Sequence, residues 1–244
     1  MPANSPPQAP VALITGAGRR FGFTLAKALL AEGYQVFAHY HTSRDGIAEL
    51  EQLGAVGLAA NLADLNQVLA LAEQLKQHTQ RLDLLVNNAS CFFNNATVDD
   101  QLDHLTAVLN VHTAAPYLLI RELAPLLRQS QNQQAMVLNI TDIYVDSPAT
   151  DYIAYCAAKA GLASLTQAFA KHLAPHIRVN AIQPGPILFL PEHDSEHRRK
   201  VLAQTPLKVE GGLEPMLAAV RFLRDNPYVT GESIKVDGGR ALNI

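Results

Sequence analysis

Short, nearly continuous apolar runs alternate along this chain with longer stretches whose apolar positions recur every three or four residues. Val11–Thr15 is the first run and stops at Gly16; Phe21–Gly33 then has helical periodicity and ends on a glycine. The same reading predicts strands at Tyr34–Tyr40, Ala55–Ala60, Leu82–Val86, Met136–Ile140, Ile177–Ile182 and Ser233–Val236. Helices are predicted between them at Ile47–Leu53, Leu65–His78, Leu102–Leu127, Tyr152–Leu173, Ser195–Gln204 and Leu213–Arg224. In the second of these, Leu65, Val68, Leu69, Ala72 and Leu75 share one face. Strands that are apolar throughout suit a sheet covered by helices on both faces. Strands alternating with helices imply βαβ units and a parallel sheet. The expectation is one α/β domain over residues 11–244, a doubly wound parallel sheet, preceded by a loose Pro- and Ala-rich arm at 1–10. Residues 185–212 are the least regular and most polar stretch, and they follow a strand's carboxyl end, where open α/β sheets place ligands. A substrate flap and a structural helical insertion both fit that pattern.

Composition narrows the function classes. The chain has 244 residues, 48% of them hydrophobic and 17% charged, with a net charge of −3 and both signs spread along it. Nothing marks a basic groove for nucleic acid or a polybasic membrane patch. Two cysteines, Cys91 and Cys156, make no disulfide framework and read as small apolar residues. The nine histidines show no metal-ligand spacing, so no metal is expected. No run is long enough to span a bilayer and the first residues lack a signal-peptide pattern, so a soluble cytoplasmic protein is expected.

Three groups of residues carry chemistry. Thr15-Gly16-Ala17-Gly18-Arg19-Arg20-Phe21-Gly22 joins the first strand to the first helix. Glycines there let a pyrophosphate approach backbone N–H groups at a helix N-terminus. At the end of the second strand, NAD-binding chains usually carry an acidic residue for the ribose hydroxyls. Here the residues are His39-Tyr40-His41-Thr42-Ser43-Arg44, and Asp45 is read as opening the next helix. Arg20, His41, Thr42, Ser43 and Arg44 offer donors and positive charge to a 2′-phosphate instead. Finally, Tyr155 and Lys159 are four residues apart in a helical stretch, so they share a face, and Asp142 lies thirteen residues before the tyrosine. An ammonium beside a phenol favours the phenolate and eases proton transfer.

TGAGRRFG, Asn87-Asn88-Ala89-Ser90 after the fourth strand, YCAAK, Asn180 with Pro184-Gly185, and the terminal Val236-Asp237-Gly238-Gly239 resemble the short-chain dehydrogenase/reductase family over essentially the whole chain after residue 10. The resemblance implies a single Rossmann-type domain, a nicotinamide cofactor and a homotetramer or dimer, with the homotetramer preferred. It implies that Tyr155 is the catalytic acid, that Lys159 binds the nicotinamide ribose and tunes Tyr155, and that Asn88 lies along the cofactor. It further assigns Gly16, Arg20, Phe21, His41, Thr42, Ser43, Asn61, Leu62, Asn88, Ala89, Ser90, Tyr155, Lys159, Pro184 and Gly185 to the NADPH site.

Two departures resemble the pteridine reductase branch: Arg20 stands where most members have glycine, and Asp142 where most have serine. That branch also has an aromatic residue soon after the NNA(S) motif, here Phe92. The resemblance places a pterin between Phe92 and the nicotinamide, near Arg20, Ser90, Asp142 and Tyr155, and implies an NADPH-dependent reduction of a dihydropterin, dihydrofolate included as a possible substrate. Phe93 is read as core packing. Where the family has an asparagine that supports a proton-relay water, this chain has His112, which could hold that water, replace the relay, or be a satisfied helical histidine. Competing readings are a carbonyl reductase of the same family, acting on 3-oxoacyl thioesters or small ketones, and a non-catalytic NADPH-binding sensor.

Overall fold

A computed structural model describes residues 9–98, 100–131, 135–190 and 193–244. Residues 1–8, most of the expected arm, lie outside the described residues; the Pro10 carbonyl accepts a hydrogen bond from the Gln35 N–H at 2.8 Å, so the chain is already tied to the sheet there.

Seven strands form one fully parallel sheet: β1 (Val11–Ile14), β2 (Gln35–Tyr40), β3 (Val56–Ala59), β4 (Leu84–Asn87), β5 (Ala135–Ile140), β6 (Ile177–Pro184) and β7 (Ser233–Val236). Their order in the sheet is β3-β2-β1-β4-β5-β6-β7, so the winding reverses between β1 and β4. That reversal opens the crevice in which doubly wound sheets bind ligands. Helices α1 (Arg20–Ala31), α2 (Asp45–Gln52) and α8 (Glu214–Asp225) pack with one face of the sheet; α3 (Leu65–His78), α5 (Ala115–Leu127) and α6 (Ile153–Leu173) pack with the other. Each face has its own apolar core. Leu13, Phe37, Leu85 and Val137 point to one, and Ile14, Val36, Val86 and Leu138 to the other, as the alternation along a strand requires.

The strand and helix pattern read from the sequence holds outside one stretch, with bounds shifted by one or two residues. One element differs. The continuous helix expected over Leu102–Leu127 is broken into α4 (Gln101–Leu109), a π-turn at Asn110–Ala114, and α5. Pro116, in the first turn of α5, cannot donate a backbone hydrogen bond, which favours reorganisation of the preceding turn. The remaining helix, α7 (Ser195–Ala203), lies within residues 185–212 and is polar on most of its surface.

A buried polar residue stitches the glycine-turn end of the sheet. The His39 ring on β2 is 2% exposed; its Nδ1 accepts the Gly16 N–H at 3.1 Å, and its Nε2–H faces the Ala60 carbonyl at 3.1 Å. One side chain thereby joins the ends of β1, β2 and β3. Desolvation pulls its pKa from 6.5 to about 4. A bare Nδ1 facing an N–H donor has no room for a proton. As pH falls from 6.5 towards 4 the unfolded chain takes up a proton here that the folded chain refuses, so stability is lost by up to about 1.4 kcal/mol per pH unit. Urea unfolding at pH 7 and pH 5 should show that loss, and His39→Gln should remove its share of it. An unchanged acid slope in the variant would contradict this account.

Candidate active site

The sites predicted from sequence come together along one edge of the sheet, at the carboxyl ends of β1 through β6. The turn after β1 is closely packed. A Cβ on Gly16 would meet Ala89 Cα at 2.8 Å, one on Gly18 would meet the Ser43 carbonyl oxygen at 2.4 Å, and one on Gly22 would meet the Gly16 carbonyl oxygen at 2.3 Å. Glycine at these positions is a steric requirement of the turn. Thr15 Oγ1 accepts the N–H groups of Asn88 (2.9 Å) and Ala89 (3.0 Å), while Asn88 Nδ2 donates to the carbonyls of Thr15 (2.9 Å) and Gly16 (3.2 Å). The β1 and β4 ends are thus locked across the crevice.

Arg20 opens α1 with φ of +50°, in the left-handed region that favours glycine, and its side chain is exposed. The position thus has the backbone need of a glycine but carries a cation. No side chain caps the start of α1 and no acidic residue lies in its first turn. Its leading N–H groups and the positive end of its dipole are available to an anion. Exposed His41 and Thr42, half-buried Ser43, and Arg44, whose guanidinium lies 5.8 Å from the Tyr40 ring centroid, border the same opening. A phosphorylated dinucleotide fits this chemistry. Two residues predicted for the site turn their side chains away: Phe21 and Leu62 are buried in the two cores, which leaves only backbone groups to face a ligand. Asn61 is engaged locally, its Oδ1 accepting the Ala63 N–H at 3.0 Å. Pro184 and Gly185 close the far side, where a Cβ on Gly185 would meet Asp237 Cβ at 2.6 Å.

Helix α6 carries Tyr155 and Lys159, and its register is fixed at several points. Thr166 Oγ1 accepts from Asn139 Nδ2 at 2.9 Å, and Thr113 Oγ1 donates to the Ala158 carbonyl at 2.9 Å. Lys159 Nζ, fully buried, donates to the Ile140 carbonyl at 2.6 Å and lies 5.6 Å from the Tyr155 ring centroid. Desolvation lowers its pKa to about 8, partly offset by the Asp142 charge. The Tyr155 hydroxyl donates to Asp142 Oδ2 at 2.7 Å, and Asp142 Oδ1 accepts the Tyr144 N–H at 2.9 Å, capping the turn after β5. Asp142 therefore both caps its loop and bonds the tyrosine.

The expectation that Lys159 would favour the Tyr155 phenolate is corrected here. Burial first, and then the adjacent Asp142 charge and hydrogen bond, hold the phenol proton well above its ordinary pKa, while Lys159 is committed to a backbone carbonyl. Asp142 itself is raised by desolvation, opposed by the Tyr144 N–H, the Tyr155 hydroxyl and the Lys159 charge.

An aromatic wall faces this pair. Phe92, 41% exposed, stacks on Tyr152 with ring centroids 4.1 Å apart and meets Tyr155 edge-on at 4.7 Å. Sequence reasoning missed Tyr152, which backs Phe92. It also read Phe93 as core, whereas that ring is 54% exposed and touches His104 edge-on, because the loop after β4 leaves the sheet before reaching it. His112 is buried in the π-turn with both ring nitrogens engaged: Nδ1 with the Val108 carbonyl at 2.9 Å and Nε2 with Ser90 Oγ at 3.0 Å. Sequence analysis named Thr15 and His39 in the segments of this edge but not their roles as buried ties, which only their packing shows. Among the described residues no group of three or more His, Cys, Asp or Glu could hold a metal ion.

Comparison with known proteins places this arrangement among reductases. A family model described as Enoyl-(Acyl carrier protein) reductase matches residues 16–241. A dihydromonapterin reductase from Enterobacter sp. (strain 638) is 37% identical over 97% of this chain and 98% of its own length, and one from Escherichia coli O6:K15:H31 is 34% identical over 94% and 96%. Among solved structures, FolM Alternative dihydrofolate reductase 1 from Brucella canis, complexed with NADP, superposes with a TM-score of 0.87 at 28% identity, covering 96% of this chain and 95% of that one. The Pseudomonas aeruginosa RhlG/NADP active-site complex gives 0.85 at 29% identity, covering 95% and 96%.

Proposed function

The chain belongs to the short-chain dehydrogenase/reductase family, and on that footing we propose that it is an NADPH-dependent reductase of dihydropterins, with dihydromonapterin or a close relative as substrate. The observation that carries this reading is the carboxylate of Asp142 at 2.7 Å from the Tyr155 hydroxyl, beside the exposed face of Phe92. A serine hydroxyl at position 142 would suit polarisation of a carbonyl; a carboxyl of raised pKa suits protonation of a ring nitrogen.

When bound, NADPH supplies the hydride that reduces the pterin C6=N5 bond. The chain supplies position and a proton. Arg20, His41, Thr42 and Ser43 receive the 2′-phosphate, and the glycine turn with the free start of α1 receives the pyrophosphate. Lys159 spends one N–H on Ile140 and has two left for hydroxyl groups of the nicotinamide ribose. Phe92 offers a flat surface to the pterin, backed by Tyr152.

The proton moves through the dyad. With Asp142 ionised, the tyrosine proton points at the carboxylate and away from substrate. When Asp142 is protonated, the same 2.7 Å contact can reverse: the acid donates to the phenol oxygen, and the phenol hydrogen turns to the pterin N5. Transfer from Tyr155 to N5 is then matched by transfer from Asp142 to Tyr155, so no phenolate is left buried. Desolvation favours protonated Asp142, which is the state this relay needs. The flap at 185–212 borders the substrate, and work in the cytoplasm as a homotetramer completes the proposal; among the described residues no helix is long and apolar enough to cross a membrane.

A charge-assisted contact is worth about 1.5–3 kcal/mol, so kcat/KM with NADPH should exceed that with NADH by about tenfold or more, and Ser43→Asp should narrow the gap. Equal efficiency with both cofactors would contradict the assignment of the 2′-phosphate cluster. Tyr155→Phe should lower dihydropterin turnover by about 10²–10⁴-fold while leaving NADPH affinity close to wild type. NADPH oxidation with a dihydropterin, with a ketone and with no substrate separates the readings: turnover with the ketone alone would establish the carbonyl reductase, and none with either would favour the sensor.

A further inference from the structure

Ser90 leaves the end of β4 exposed to the cleft, yet its hydroxyl is tied to a buried ring behind it. The polarity of that tie follows from the atoms. His112 Nδ1 lies 2.9 Å from the Val108 carbonyl, which only accepts, so Nδ1 carries the hydrogen. Burial, and then the Lys159 charge, hold the ring neutral with a pKa of about 3, so Nε2 is bare. At 3.0 Å from a bare nitrogen, the single hydroxyl hydrogen of Ser90 is committed to His112. Only the lone pairs of Ser90 Oγ are then left for the cleft. His112 is buried within the π-turn, where its ring meets the Val108 carbonyl and Ser90 and lies edge-on to Tyr155 at 5.3 Å.

We propose that His112 is a positioning residue: by taking the Ser90 hydroxyl hydrogen it makes Ser90 Oγ an acceptor only, which selects substrates presenting an N–H donor, namely the amino-bearing edge of a pterin. This rests on the dihydropterin reading above. It also assigns His112 no part in proton delivery, since a neutral ring with both nitrogens engaged has no hydrogen to pass to the pair at Tyr155 and Asp142. In the absence of His112 the hydroxyl is free to rotate and can point its own hydrogen at the substrate donor, which turns an attraction into a mismatch.

The test uses NADPH-loaded enzyme and two substrates, a dihydropterin with its 2-amino group and the matching dihydropteridine without it. His112→Phe keeps an aromatic ring against Tyr155 and loses the acceptor. Its KM for the amino-bearing substrate should rise about three- to tenfold with kcat little changed, and its KM for the amine-free analogue should stay at the wild-type value. His112→Gln, whose amide oxygen can accept from Ser90, should restore KM. Ser90→Ala should raise the same KM, and His112→Phe added to it should do nothing more. An equal KM rise for both substrates, an additive double variant, or a fall in kcat at unchanged KM would overturn the proposal. A weakened NADPH Kd with unchanged substrate KM would give the hydroxyl to the nicotinamide carboxamide and overturn it too. If His112→Phe does not fold, as judged by its melting temperature, the Gln and Ser90→Ala arms decide. Wild-type enzyme that turns over neither pteridine would instead sink the function reading itself, a result distinct from all of these.

Discussion

The site in this molecule depends on the reversal of winding between the paired strands β1 and β4. All seven strands run parallel, so every strand delivers its carboxyl end to one edge, and the reversal of winding opens a crevice there. The backbone groups at those strand ends are tied across the crevice. Thr15 does this with one hydroxyl, accepting the N–H groups of Asn88 and Ala89, and Asn88 returns the tie through its amide. The close approach of Ala89 to Gly16 and of Gly16 to Gly22 follows from that lock. The uncapped start of α1 is therefore fixed relative to β4, from which Ser90 and Phe92 proceed.

The second half of the site hangs on α6. A helix can present Tyr155 and Lys159 on one face, but only contacts with β5 and the π-turn set how far along the crevice they sit. Lys159 on the Ile140 carbonyl, Thr166 on Asn139 and Thr113 on Ala158 supply those contacts. Burying an ammonium costs free energy, and its lowered pKa is the measure of that cost. The consequence at the reacting end is a tyrosine whose proton is held by Asp142. The two acidic groups share one short hydrogen bond in a buried site: burial raises both, and the Asp142 carboxylate pushes the tyrosine proton further up while the Tyr155 hydroxyl partly offsets the rise at Asp142.

Much of this was legible in the sequence. The apolar periods placed all seven strands, and the order of the glycine turn, Asn88, Tyr155 with Lys159, and Pro184-Gly185 placed them at one edge. What could not be read were properties that exist only after packing. Lys159 looks like a hydrogen-bond partner for the phenol at a spacing of four; the fold sends one of its hydrogens to the Ile140 carbonyl and leaves the ammonium 5.6 Å from the ring centroid. His39 lies in the strand read from the sequence, but only the strand pairing shows that it is a buried brace. Phe21 and Phe93 exchange the expected exposures because one opens a helix against the core and the other lies on a loop leaving the sheet. His112 sits in what reads as uninterrupted helix, and only the π-turn reveals what its ring can reach.

The central claim is that Asp142 delivers the proton through Tyr155, and the pH–rate profile of Asp142→Asn tests it most directly. Asparagine keeps an oxygen for the Tyr144 N–H, so the turn after β5 is preserved. Wild-type dihydropterin turnover should fall as pH rises through the elevated pKa of Asp142, since the protonated acid is the active form. The variant should keep its melting temperature and NADPH affinity, turn over dihydropterin more slowly by about tenfold or more, and lose that limb of the profile. A stable Asp142→Asn enzyme with wild-type turnover and an unchanged profile would contradict the account.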